Sequence, residues 1–76
     1  MKVTMESTSK IVQLNGVPAR IWEGTTETGI PCHVYVTRIA VAEGLQPEQY
    51  RDFEVELSET RKPSAEIEAI PLRMIL

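Results

Sequence analysis

The chain has 76 residues, enough for one small domain, with 8 Lys+Arg against 11 Asp+Glu and a net charge of -3. It is 42% hydrophobic and 25% charged, which argues against disorder. No apolar run approaches the roughly 18 residues of a membrane span, and the opening MKVTMESTSK has no apolar stretch of the secretory type.

Cys32 is the lone cysteine and His33 the lone histidine, so an intramolecular disulfide and a four-ligand zinc site are both excluded. A single thiol and no signal point to the reducing cytoplasm. Lys and Arg are scattered, so the clustered cations of a nucleic-acid binder are missing and such a partner is not expected. No cofactor or membrane partner is indicated. A chain this short buries only about 60% of its unfolded surface. With disulfide and metal set aside, association is the remaining reinforcement.

Residues 1–9 are polar and read as a flexible start or a short edge segment. Three strands follow, at about 10–14, 17–23 and 31–41. Asn15-Gly16 between apolar runs is a strong hairpin signal, because both central residues of a type I′ turn need positive φ. That turn pairs Leu14 with Val17, Val12 with Ala19 and Lys10 with Ile21. A symmetric second loop sets Trp22 against Pro31, Ile21 against Cys32 and Arg20 against His33. Paired residues share a face. One face then holds Val12, Leu14, Val17, Ala19, Ile21, Cys32, Val34 and Val36. The other is mixed, with Ile11, Gln13, Pro18, Arg20, Trp22, His33, Tyr35, Thr37 and Ile39. Pro18 conflicts with a central strand and predicts an interrupted ladder or a bulge.

Pro47, with Glu48 behind it, starts a helix over about 47–61. Tyr50, Phe53 and Leu57 form its apolar stripe, and Arg61 and Lys62 lie at its negative end. Alternating Phe53, Val55 and Leu57 give a competing strand reading. The apolar sheet face is the natural seat for this helix. Residues 64–70 are ambiguous between a helical turn and an extended piece, and Pro71 keeps Ile70 out of the helical region. The apolar residues 71–76 read as a fourth strand or a docked tail. The fold class is α+β, a three-stranded antiparallel meander carrying one amphipathic helix.

Neighbours on a strand point to opposite faces, so Cys32 and His33 do not make a catalytic pair. The Gly24–Gly29 stretch lacks Lys and contains Glu27, which favours a hairpin loop over a phosphate cradle. The helix acids read as a solvated flank. An acidic mimic of a nucleic-acid backbone is a minor alternative. The candidate binding residues are Arg20, Trp22, His33, Tyr35 and Thr37, of which Arg20, Trp22 and Tyr35 are types enriched in interaction hot spots. The competing reading is that the tail covers this face. The expected function is a small, non-enzymatic, self-associating protein-interaction module with no catalytic or metal-binding residues. The alternatives are a nucleic-acid accessory domain using the same face, or an enzyme pairing His33 with a helix carboxylate.

Overall fold

Asn15 and Gly16 have φ of 51° and 82°, the left-handed pair that a type I′ turn requires. The computed structural model around this turn describes residues 1–69. Strands β1 (Val3–Leu14), β2 (Val17–Thr26) and β3 (Pro31–Val36) precede helix α1 (Pro47–Ser58) and the one-turn α2 (Ala65–Glu68). The strands form one antiparallel sheet in the order β1-β2-β3, so the architecture is the expected α+β meander with a helix. The strand or docked tail expected at 71–76, and the effect of Pro71 on Ile70, lie outside the described residues.

The first register holds near the turn, where Leu14 pairs with Val17 and Val12 with Ala19. Lys10 does not pair with Ile21. The ladder jumps from Ile11–Arg20 to Ser7–Trp22, leaving Thr8, Ser9 and Lys10 opposite Ile21 alone. The surplus is even, so side chains on either side of this bulge keep their faces. Thr8 is fully buried within it. Its hydroxyl donates to the Ile21 carbonyl at 2.7 Å and accepts from the Lys10 amide at 3.3 Å. Residues 3–9 therefore belong to β1, an edge strand of the sheet.

The second register differs from expectation, and the difference inverts β3. Arg20 pairs with Val36, Ile21 with Tyr35, Trp22 with Val34 and Glu23 with His33. The cause is local. Glu23 to Thr26 continue β2, and the β-branched threonines favour that extension. The loop is then Glu27-Thr28-Gly29, with the Gly29 amide donating to Thr26 O at 2.9 Å and the Thr26 amide donating to Ile30 O at 3.0 Å. Gly29 has φ of 88°, which fits a three-residue loop ending in a left-handed residue. The offset is odd, so every β3 side chain changes face. Trp22 and Val34 share one side, while His33 and Tyr35 join the other. The same register resolves Pro18. The β2–β3 ladder stops at Arg20–Val36, so the missing N–H of Pro18 interrupts no bond to β3.

The core consists of Val12, Ala19 and Ile21 from the sheet, closed by Ile67 of α2, with Leu14 and Tyr35 packed at its margin. Burying one such aliphatic contributes about 1.5–3 kcal/mol. The seat expected for the long helix is thus taken by α2, and no side chain of α1 is buried. The start of α1 is as expected, with Pro47 in its first turn and Gln49 Oε1 accepting from the Gln46 amide at 2.8 Å. Its end is earlier, at Ser58, so Arg61 and Lys62 lie beyond the helix.

Arg61 is recruited elsewhere. Its amide donates to Ser7 O at 3.1 Å and its carbonyl accepts from the Ser9 amide at 3.0 Å, a parallel bridge along the outer edge of β1. The Ser7 hydroxyl adds a bond to the Glu59 carbonyl at 2.8 Å. Glu23 Oε2 accepts from Arg61 Nη1 at 2.8 Å and from the Ser64 amide at 3.0 Å. Residues 59–67 form a strap that crosses the edge of β1 and drops Ile67 onto the sheet.

Candidate functional site

The face of the sheet away from Ile67 carries Ile11, Pro18, Arg20, Trp22 and Val36, as their pairings require. These residues floor an open groove of about 550 Å³, walled by the chain from Thr37 to Ala40 and by Leu57 of α1. Three aliphatic residues at its rim stay exposed: Ile11 at 46%, Ile39 at 41% and Leu57 at 48%. Clustered exposure of this kind marks contact surfaces more often than isolated apolar residues do.

Trp22 is half-buried. Its indole Nε1 is out of contact with solvent and has no hydrogen-bond partner among the described residues. An unmatched donor in such a place costs about 1–3 kcal/mol. Arg20 Nη1 donates to the Thr8 carbonyl at 2.8 Å. That bond fastens the guanidinium to the β1 bulge and fixes where its charge lies in the groove. Arg38 supplies a second, exposed cation.

The expected five-residue patch is divided. Arg20, Trp22 and Thr37 line the groove together. His33 and Tyr35 stand on the opposite face, their rings edge to face at 5.4 Å and 84°. Arg20 does not face His33, because the second loop inverts β3. Val36, Arg38 and Leu57 are groove residues that sequence reasoning missed. The sequence pattern puts Val36 and Leu57 on the core side and Arg38 on neither face. The signal that would have recovered Val36 is Gly29, which ends a three-residue loop and so fixes the parity of β3.

The chemistry available in the groove is narrow. Among the described residues its lining holds two guanidinium groups, one hydroxyl and one indole, and no carboxylate, imidazole or thiol. It therefore has hydrogen-bond donors and apolar surface, and no group suited to general acid–base work near neutral pH. Cys32 is a free, half-buried thiol. It pairs with Gly24, so it points away from the His33 side. No group of three or more His, Cys, Asp or Glu forms among the described residues.

A second depression, of about 370 Å³, lies beside Glu6, Glu23, Gly24 and Arg61. Its two central polar groups, Glu23 and Arg61, are already matched to each other. Hydrogen bonding from Ser64, opposed by desolvation and aided by Arg61, holds the Glu23 carboxyl below its ordinary value of 4.5. Arg61 Nε lies 3.9 Å from Glu6 as well. These contacts fasten the strap and offer little to a ligand.

No protein-family model matches this chain, and no curated protein or solved structure matches it either.

Proposed function

We propose that this chain is a non-enzymatic protein-interaction module that binds through the Trp22 groove. The observation that carries the reading is the composition of that groove. An aromatic ring, three half-exposed aliphatics and two arginines meet in one open concavity. Tryptophan and arginine dominate interaction hot spots because each combines a large contact area with directional donors. The donor-only polar content favours a partner segment that brings acceptors, such as carboxylates beside apolar side chains. The half-buried free thiol of Cys32 is compatible with a reducing, cytoplasmic setting.

Selection of short peptides from a displayed random library tests this. Selected sequences are expected to combine apolar residues with Asp or Glu. They should lose at least about tenfold in affinity for Trp22→Ala, as removal of a central aromatic does in other interfaces. Equal binding to the parent chain and to Trp22→Ala would remove the groove from consideration.

A further inference from the structure

We infer that the occupant of the Trp22 groove is α1 of a second copy of this chain, in a two-fold dimer where each copy lends its helix to the other. This rests on the groove being a protein-binding surface and adds the identity of the partner. The first support is the state of α1. It is 12 residues long, and none of its side chains is buried. Helices of that length are marginal in water without tertiary packing. Its apolar stripe is only half covered, with Tyr50 at 39% exposure and Leu57 at 48%. Among the described residues, the helix is thus a formed element that buries none of its own side chains.

The second support is charge. Residues 47–58 contain Glu48, Asp52, Glu54 and Glu56 against the single cation Arg51. Among the described residues, the groove contains Arg20 and Arg38 and no carboxylate. Groove and helix are complementary in sign as well as in apolar content, and such complementarity sets register between partners.

The third support is placement. Leu57 already forms a wall of the groove of its own chain. A two-fold axis beside Leu57 would set the two helices side by side, so that each covers the open flank of the other's groove. One self-complementary contact then closes both concavities, as an isologous interface requires. Association is a reinforcement open to so short a domain.

Sedimentation equilibrium on the intact chain and two charge-reversal variants tests the pairing. Arg38→Glu and the double variant Glu54→Lys/Glu56→Lys alter exposed positions, and far-UV circular dichroism verifies that each remains folded. The parent chain is expected to dimerise in the micromolar range. Each variant alone should dimerise at least about tenfold more weakly, because like charges then oppose each other. Mixing the two in equal amounts should restore the dimer, since acid meets base at both symmetry-related contacts of the heterodimer. A parent chain that stays monomeric at high micromolar concentration would overturn the inference. So would unaffected dimerisation of Arg38→Glu, or a mixture that stays monomeric. Peptide selection that depends on Trp22 would still uphold the groove in those cases, so the two readings fail separately.

Discussion

Gly24 shows how one residue can be required by packing rather than by its dihedral angles. It pairs with Met5 across β1 and β2. A Cβ placed on it would overlap the Thr4 carbonyl oxygen and come within 2.7 Å of Met5 Cβ. These are atoms of the neighbouring strand and its first side-chain carbon, which cannot swing aside. Gly24→Ala should therefore destabilise the chain by about 1–3 kcal/mol, the range of an overpacked site. Urea denaturation reads this directly, and unchanged stability would mean that β1 is not held so close. Thr8 is a second residue whose role is invisible in the sequence. Its hydroxyl serves both sides of the bulge, and nothing in the run Ser7-Thr8-Ser9-Lys10 distinguishes it from its polar neighbours. Asn15 and Gly16 are the opposite case, because their left-handed conformation is written in the residue types themselves.

At the scale of elements, the strap follows the same logic of local groups answering each other. Glu23 is the residue that joins it to β2, and its carboxyl side chain is only 15% exposed. Its folded pKa lies below the ordinary value of 4.5. The stabilisation it supplies is thus complete above that value and is lost as pH falls through the lower, folded one. Glu23→Gln should lower stability at pH 7 by about 1 kcal/mol, since the Arg61 partner is substantially exposed and screened. The gap between parent and variant should close in acid, where the parent carboxyl is protonated too. A gap that persists at pH 2 in thermal unfolding would contradict this. The existence of the three strands, the first turn and the start of α1 were legible because each has a local cause: β-branched runs, Asn-Gly, and Pro47. The bounds were not, since β1 begins at Val3 rather than 10 and β3 ends at Val36 rather than 41. The inverted β3 was not, because it depends on where β2 ends, and Thr25-Thr26 can be read as loop or strand. The end of α1 and the seating of α2 were hidden for another reason. Both follow from Arg61 engaging Glu23 and β1, contacts between residues far apart in the sequence.

For the whole molecule, these placements decide which surfaces are free. Among the described residues, Ile67 packs on the aliphatic face and the reverse face with Trp22 carries an open groove. The sequence correctly placed Arg20 and Trp22 together and away from the core, because they lie on one strand with period two. It misplaced His33 and Tyr35 because their side depends on a loop parity.

The strap also orders events in time. The β1–β2 hairpin closes around a two-residue turn, a microsecond process in isolated hairpins. The bond from Ser7 to Glu59 spans 52 residues, so its loop-closure entropy is met only after the sheet exists to receive it. Residues 59–67 should accordingly be the last piece to assemble and the first to open. In native-state hydrogen exchange, the Arg61 and Ser9 amides are expected to lose protection well before those of Val12 and Ile21. The apolar side of the sheet would then be uncovered transiently while the hairpin beneath it remains intact.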